Sequence, residues 1–327
     1  MDQSRIGVGL IGVGRHGMRY ARHLVYDLPM ASLRAVCRRH PEQRLDLQEA
    51  GPVTIYGDPH SLIADPTVEV VVVVTPPRVT PQICRLAVEA GKPMLIEKPL
   101  AASEDEARAM VALAHEVGVP LMTAQTLRFD ATIQEVKQLQ HRIGRSERLS
   151  LISRIEMKAT ASDHAEGYGQ RGAVLEIGVH MLDLVRFLTG EEVQEVRCVM
   201  DRIPPAAPET TASVRLTTVG GTICEIEIAR VQTGRVGRAE WIGSQGRLEA
   251  DWIQGHVRCI ERTGTQHVES RKSQTVLATL SAFLQAVAQR TPMPITGEDG
   301  WRAVEIAEAC YRSAQHGGAA VALAIPH

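Results

Sequence analysis

Five consecutive valines, Val70 to Val74, constrain the fold more than any other feature of the sequence. β-Branched residues favour strands. Because the run does not alternate between apolar and polar residues, a strand there must be buried on both faces, as in a parallel sheet that is covered by helices. The valines therefore predict a central strand of an α/β domain over residues 69–75.

Short apolar runs and helical patterns alternate along the first 125 residues. Besides the valine strand, the pattern predicts strands at 6–12, 32–37, 93–97 and 120–124, and helices at 15–28, 80–91 and 103–118. Ser103 is expected to cap the last of these helices and Gly118 to end it. Strand–helix alternation at this spacing is typical of a doubly wound α/β domain with a parallel sheet.

Three glycines, Gly12, Gly14 and Gly17, follow the first predicted strand in the spacing G-x-G-x-x-G. The first glycine permits a tight turn, the second lets the backbone approach a pyrophosphate, and the third lets helix and strand pack closely. The helix N-terminus also favours an anion. The motif predicts a dinucleotide site that includes Arg15 and His16; the alternative is a compact turn that binds nothing.

Two arginines, Arg38 and Arg39, follow the second predicted strand, where an acidic residue normally accepts a hydrogen bond from the adenine ribose of NAD. A carboxylate would repel a 2′-phosphate, whereas a guanidinium binds one bidentately. The sequence therefore predicts NADP(H) as the preferred cofactor, with NAD possible. The alternative is that both arginines are solvated surface charges.

Composition excludes several classes of partner. The chain has 327 residues, which suits two domains, a formal net charge of −2 and 3% aromatic residues, so neither nucleic acid nor an acidic membrane is an expected partner. No apolar run approaches the roughly 18 residues of a membrane span, and we find no export signal. The six cysteines are scattered without a CxxC pair, which favours reduced thiols in a cytoplasmic protein.

Several motifs together resemble the glucose–fructose oxidoreductase/inositol dehydrogenase (Gfo/Idh/MocA) family. They are "GLIGVGRHG", "VVVVTPP", "AGKPMLIEKPLA", "LRFD", "RGAVLEIGVHMLDLVRFLTG" and "GEDGWRAVEIAEACYRSAQHG", in the family's order along nearly the whole chain. The glycine motif occurs in many proteins, whereas the combination of "EKP" with "GVHMLD" is much more specific.

The resemblance implies a Rossmann domain over residues 1–124 and a substrate-binding and oligomerisation domain over 125–327. The second domain is expected to be α+β, with a large, mostly antiparallel open sheet, and its C-terminal helix, 299–315, is expected to pack near the first domain. Period-2 runs between 148 and 244 fit such strands, and Gly220–Gly221 fits a hairpin turn. A homodimer or homotetramer is expected.

Lys98 follows the predicted strand 93–97 at the edge of the sheet where ligands bind in such folds. The resemblance implies that it reaches the substrate oxygen beside the nicotinamide, that Glu97 helps to set the turn, and that the peptide bond before Pro99 is often cis. An ammonium there stabilises negative charge that develops on the oxygen. Thr75 and Pro76 are expected to flank the cofactor. The alternative for Lys98 is an ordinary exposed lysine.

Glu176, His180 and Asp183 lie on one face if their segment is helical. A histidine is suited to exchange a proton with a hydroxyl that gains or loses hydride, and a carboxylate one turn away can orient it. We therefore predict Lys98, His180 and Glu176 as catalytic residues, and no metal. The alternatives are a partly buried structural histidine and a metal site built from the same three side chains.

The chain departs from the family at three positions. Glu176 stands where aspartate is usual, Thr80 where histidine is common, and Thr126 where asparagine is common. The extra methylene of the glutamate displaces its carboxylate by more than about 1 Å, which matters in catalysis. These changes favour a specialised substrate over the alternative, which is a loss of catalysis.

Other substrate contacts are open to two interpretations. Gln125, Arg128 and Asp183 are candidates, and Arg128 is equally well an ion-pair partner; Tyr168, with Asp163 and His164, lies in a polar segment that is otherwise a plain loop.

The sequence thus predicts an NADP(H)-dependent oxidoreductase that acts on a hydroxyl or keto group of a sugar, cyclitol or related polyol. One alternative is an NAD-dependent glycosidase of the same family. The other is a non-catalytic, dinucleotide-sensing regulator.

Overall fold

A computed structural model describes residues 5–43, 45–47, 51–156, 167–201, 208–271 and 273–325. These residues form two compact units. The first consists of residues 5–126 and 274–301, and the second of 127–273 and 302–325.

The helices and strands of both units are named here in chain order. The helices are α1 (Gly17–Tyr26), α2 (Pro59–Ala64), α3 (Thr80–Glu89), α4 (Glu104–Val117), α5 (Ala131–Leu139), α6 (Val179–Thr189), α7 (Thr275–Gln289) and α8 (Gly297–Gln315). The strands are β1 (Ile6–Ile11), β2 (Ala31–Cys37), β3 (Thr54–Tyr56), β4 (Val70–Val73), β5 (Met94–Glu97), β6 (Leu121–Ala124), β7 (Ser146–Glu156), β8 (Val193–Asp201), β9 (Thr211–Thr218), β10 (Ile223–Val231), β11 (Val236–Gly243), β12 (Gly246–Asp251), β13 (His256–Glu261), β14 (Gly264–Glu269) and β15 (Val321–Ala322).

The first unit contains a six-stranded parallel sheet in the order β3-β2-β1-β4-β5-β6. All four residues of β4 are at most 1% exposed, as the valine run predicts. The Ser103 hydroxyl accepts from the Glu106 N–H at 3.4 Å, and Gly118 ends α4 with φ +76°. The strand order reverses between β1 and β4, and ligands bind at the carboxyl ends of strands at such a point.

The second unit contains a nine-stranded sheet in the order β14-β13-β12-β11-β7-β10-β9-β8-β15. Only β7 and β10 pair in parallel, so the predicted mostly antiparallel sheet is confirmed. Gly221, with φ +86°, lies in the turn that joins β9 to β10. Side chains of α5, α6 and the later part of α8 share one apolar core with the inward-facing residues of the sheet.

Two predictions from composition concern the cysteines and membrane-spanning helices. All six cysteines are buried free thiols. In the described part of the chain, no helix is long and apolar enough to cross a membrane.

Candidate functional site

The glycine loop between β1 and α1 needs its glycines for two different reasons. Gly12 has φ +93°, and a Cβ on it would lie 2.2 Å from the Val74 carbonyl oxygen. A Cβ on Gly17 would lie 1.9 Å from the Gly12 carbonyl oxygen. Gly14, by contrast, is exposed, and its Cβ position meets nothing within 4 Å. The first and third glycines thus serve the fold, whereas the second leaves open space beside the backbone, as a bound pyrophosphate requires.

A buried carboxylate ties this loop to the end of β5. Glu97 is 8% exposed, and its Oε2 accepts from the Tyr20 hydroxyl at 2.5 Å and from His16 Nε2 at 3.2 Å. Burial by itself would raise the pKa of Glu97, but the His16 hydrogen bond, the charges of Lys98 and His16, and the Tyr20 hydrogen bond together lower it. Burial, followed by the neighbouring Glu97, raises the pKa of Tyr20 well above its usual range. Glu97 is therefore an ionised acceptor and Tyr20 a neutral donor.

The strand ends beside the loop carry the other predicted cofactor residues. Lys98 is half-buried and directly follows β5, and its peptide bond to Pro99 is cis, as the resemblance implies. Thr75 follows β4, and its buried Oγ1 has no hydrogen-bond partner among the described residues. Pro76 is exposed. An open glycine backbone, a helix N-terminus and an unpartnered buried hydroxyl on one sheet edge fit a dinucleotide.

The two predicted 2′-phosphate ligands follow β2. The Arg38 guanidinium donates to Gln43 Oε1 at 2.7 Å, while Arg39 is exposed. Burial and the nearby Asp58 raise the pKa of the Cys37 thiol to about 11. Asp58 itself caps α2 by accepting from the Ser61 N–H at 2.8 Å. The residue directly after β2 is thus an arginine, where NAD sites normally place an acidic residue.

In the second unit, Glu176 and His180 lie on one continuous helical segment. It is π-helical over Val174–Gly178 and α-helical from Val179. Glu176 forms an ion pair with Arg230 at the end of β10. Both side chains are mostly buried, and His180 is half-buried. The glutamate that stands where the resembled family usually has aspartate thus pairs with an arginine that the sequence analysis did not identify.

The start of this segment is held by two further residues. The Glu209 carboxylate accepts from the backbone N–H groups of Gly172 and Val174 at 2.9–3.0 Å, and from the Tyr311 hydroxyl at 2.6 Å. The Leu175 N–H in turn donates to that hydroxyl, and burial together with Glu209 raises the pKa of Tyr311. Together they satisfy backbone donors that a helix N-terminus leaves unpaired, so Glu209 and Tyr311 fix where the helix begins.

Arg128 and Asp183, both proposed from sequence as substrate contacts, bind each other. Arg128 Nε and Nη2 donate to the two Asp183 oxygens at 2.8 and 2.7 Å, and the guanidinium lies 5.2 Å from the centre of the Phe187 ring. Asp183 is 1% and Arg128 8% exposed. This geometry favours the ion-pair interpretation of Arg128.

The remaining candidates are dispersed. Gln125 is 1% exposed, and Tyr168 is half-buried. Burial lowers the pKa of the Arg230 guanidinium, and the nearby Tyr168 and Tyr311 offset only part of this lowering. Asp163 and His164 lie outside the described residues. Thr80 is buried and donates to the Pro77 carbonyl at 2.5 Å. Within the described ranges, no three His, Cys, Asp or Glu side chains are placed to hold a metal ion.

Sequence analysis did not identify Tyr20, Glu209, Arg230 or Tyr311. No local pattern marks Glu209 or Arg230, because their partners lie more than 30 residues away. A buried tyrosine one turn into the helix after a glycine motif, such as Tyr20, is a signal that could have been used.

A doubly wound parallel sheet, a glycine loop where the strand order reverses, and a lysine directly after β5 are typical of a dinucleotide-binding oxidoreductase. Residues 6–125 match the model of an oxidoreductase family with an NAD-binding Rossmann fold, and residues 133–249 match that of the GFO/IDH/MocA C-terminal domain. The chain belongs to the Gfo/Idh/MocA family, as its motifs predict. It is therefore a nicotinamide-dependent dehydrogenase.

Similar proteins cover nearly the whole length of the chain. Myo-inositol 2-dehydrogenase of Thermotoga maritima is 28% identical over 322 residues, which cover 94% of this chain and 95% of that protein. D-Apiose dehydrogenase of Paraburkholderia graminis is 27% identical over 339 residues, with coverages of 94% and 87%. The crystal structure of GenD2 from gentamicin A biosynthesis, in complex with NAD, has a TM-score of 0.87 and 25% identity, and covers 98% of this chain and 97% of that one.

Proposed function

We propose that the chain transfers a hydride between nicotinamide and a hydroxyl- or keto-bearing carbon of a sugar, cyclitol or related polyol. The observation that carries the proposal is the position of Lys98, directly after a buried, ionised Glu97 and on the same sheet edge as the glycine loop. The inositol and apiose dehydrogenases among the similar proteins support this substrate class.

We propose that Lys98 and His180 both act on one substrate oxygen, Lys98 as a hydrogen-bond donor and His180 in proton transfer. Bound nicotinamide supplies or accepts the hydride. The Lys98 ammonium donates a hydrogen bond to the oxygen on which negative charge develops. His180 takes the hydroxyl proton during oxidation or returns it during reduction. Glu176, paired with Arg230, contributes a carboxylate on the His180 segment.

We further propose that NADP(H) is preferred over NAD(H). Support comes from Arg38 and Arg39, which follow β2 where NAD sites place an acid, and from the engagement of the nearby Asp58 by Ser61. The phosphates would be held by the glycine loop, with Arg15, His16 and Thr75 beside it. Arg38→Asp is expected to reverse the preference, because a carboxylate repels a 2′-phosphate and accepts from a ribose hydroxyl.

The test is a cofactor-reduction screen of sugars, inositols and ketosugars with both dinucleotides. We expect turnover of at least one polyol, tighter binding of NADP(H), and loss of turnover in Lys98→Met at unchanged melting temperature. Hydrolysis of a glycoside without net cofactor turnover would indicate the glycosidase instead. Tight dinucleotide binding without turnover across the panel would indicate the regulator. An affinity for NAD(H) equal to or above that for NADP(H) would refute the cofactor preference.

Direct substrate contacts by Gln125 and Tyr168, a cytoplasmic location and a homodimer or homotetramer are also proposed. Their buried or half-buried polar side chains support the substrate contacts, the buried free thiols support the location, and the family resemblance supports the assembly. Sedimentation equilibrium tests the assembly, and a sedimenting monomer would refute it.

A further inference from the structure

A small cavity in the second unit lies at the end of the sheet where β12 stops and β13 begins. Its volume is about 260 Å³, and its polar and aromatic lining consists of Asp130, Thr132, Arg235, Trp252, Arg271 and Ser273. At the roughly 30 Å³ that each water molecule occupies in the liquid, this volume suits about nine non-hydrogen atoms. The cavity is therefore the size of a four-carbon polyhydroxy compound and is too small for a dinucleotide.

Two arginines give the cavity an unbalanced positive charge. Arg235, between β10 and β11, and Arg271, after β14, are exposed, and neither has an ion-pair or hydrogen-bond partner among the described residues. Most arginines of the second unit are paired, as Arg238 is with Asp251 at 3.0 Å. Arg262 also lacks a partner within the described ranges, but it lies in the β13–β14 turn at the other end of the sheet.

The acids beside the cavity are engaged within the protein. Asp130 Oδ1 caps α5 by accepting from the Thr132 N–H at 2.9 Å. Asp251 Oδ2 binds Arg238, and its Oδ1 accepts from the Gln254 N–H at 2.9 Å. Even with the Asp130 charge counted in full, two guanidiniums and one carboxylate leave the lining with one positive charge. A ligand with one negative charge would balance it.

The Trp252 indole forms a fixed apolar wall of the cavity. The Trp252 N–H donates to the Gly237 carbonyl at 3.0 Å, and a Cβ on Gly237 would lie 2.2 Å from the indole Nε1. The half-buried ring therefore packs directly on the backbone of β11, with Ile253 beside it in the lining. Sites for small molecules combine such apolar walls with a few polar groups, here the guanidiniums and the side-chain hydroxyls of Thr132 and Ser273.

We propose that this cavity binds a small organic carboxylate, whose charge is held by Arg235 and Arg271 and whose carbon skeleton packs on Trp252. A guanidinium matches a carboxylate through two parallel N–H···O bonds, and a monocarboxylate balances the net charge of the lining.

This ligand site is separate from the residues proposed for hydride transfer. Trp252 directly follows β12, which lies three strands away from β10 and its Arg230. At about 4.8 Å between neighbouring strands, the two strands are about 14 Å apart. A four-carbon acid in the cavity therefore does not reach Arg230, and the proposal stands independently of the proposed function.

The experiment is an NMR titration of the ¹⁵N-labelled full chain at pH 7.5 and constant ionic strength, with threonate as the probe. The chain has three tryptophans, so its indole N–H signals are few, and Trp252→Phe identifies the one that belongs to the cavity. Threitol carries a neutral CH₂OH group in place of the carboxylate on the same skeleton and is the matched uncharged probe. Inorganic phosphate tests whether a different oxyanion is preferred.

We expect threonate to shift the Trp252 signal saturably, and threitol to bind at least about tenfold more weakly. Arg235→Gln and Arg271→Gln should each weaken threonate binding about tenfold or more, because each removes charge-assisted hydrogen bonds. Arg262→Gln removes an exposed, unpaired charge outside the cavity and should bind threonate as the unaltered chain does. Melting temperatures verify that the variants fold.

Threonate and threitol of equal affinity would overturn the proposal, as would unweakened binding in Arg235→Gln or Arg271→Gln. An equal loss in Arg262→Gln would mean that overall charge alone attracts the anion. Binding of phosphate but not threonate would overturn the carboxylate as ligand, and binding that leaves the Trp252 signal unshifted would exclude this cavity. No binding of any probe at millimolar concentration would refute the site, and because no dinucleotide or turnover is involved, the proposed function would be unaffected.

Discussion

Alanine at Gly14 and alanine at Gly17 should separate the binding function of the glycine loop from its folding function. Both changes add one methyl group to the same turn. At Gly17 the new Cβ would lie 1.9 Å from a backbone carbonyl oxygen, which cannot rotate away, so backbone must shift. At Gly14 it would meet nothing within 4 Å, and φ there is not positive.

The expected magnitudes differ accordingly. Overpacking of this kind costs about 1–3 kcal/mol or more, so Gly17→Ala should lower the melting temperature of the first unit by about 3–10 °C. Gly14→Ala should change the free energy of unfolding by no more than about 0.5 kcal/mol. Because its methyl fills the space that a pyrophosphate needs, it should weaken dinucleotide binding about tenfold or more, about 1.4 kcal/mol.

Thermal unfolding by circular dichroism and NADPH fluorescence titration measure the two quantities on the same samples. The reasoning would be refuted by a Gly14→Ala variant that binds as tightly as the unaltered chain, or by one that unfolds as early as Gly17→Ala. The first result would mean that no ligand approaches the open side of Gly14. The second would mean that a methyl group at Gly14 does collide with neighbouring atoms.

Three further predictions concern the residues around the proposed catalytic groups. Tyr311→Phe removes the hydroxyl that holds the start of the His180 helix, and it should lower the free energy of unfolding by about 1–3 kcal/mol and also lower kcat. The control Ser313→Ala, on α8 like Tyr311, should lower stability without changing kcat. Equal losses of kcat in the two variants would contradict the assignment. Arg230→Gln leaves Glu176 without its cation and should lower kcat/KM about tenfold or more at unchanged dinucleotide affinity; an unaltered kcat/KM would exclude the pair from the reaction. The pKa of Glu97 is lower in the folded than in the unfolded chain, so its ionised form stabilises the first unit above about pH 4.3, and this stabilisation is lost as the pH falls through the folded pKa. In a profile of melting temperature between pH 3 and 7, Glu97→Gln should therefore reduce the drop at the acidic end.

The architecture of the first unit follows from local rules that a sequence displays. The valine run could only be a doubly buried strand, and β4 is one. Gly12 ends β1 one residue before the predicted end, because its φ of +93° breaks the strand. Elements too short to show a period were missed, among them β3, with three residues, and α2, with six.

The sequence predicts residues of the site only where they lie together in one motif. Glu176 and His180 were found because they lie on one segment, but apolar spacing does not distinguish a π-turn from an α-turn over Val174–Gly178. The sequence predicts Asp183 as a substrate contact, but it does not reveal the ion pair with Arg128, which lies 55 residues away. Glu209 and Arg230 lie on or before strands whose pairing decides what they touch, and nothing in the local sequence encodes that pairing.

Hydride transfer itself provides the most direct test of the proposed chemistry. A polyol that is active in the screen would be deuterated at the reacting carbon and incubated with oxidised dinucleotide, and the label on the nicotinamide would be followed by mass spectrometry in the unaltered chain, Lys98→Met and His180→Asn. The account predicts label transfer by the unaltered chain, and at least about a hundredfold slower transfer by both variants at saturating dinucleotide. Transfer at the unaltered rate by either variant, or none by the unaltered chain, would contradict it.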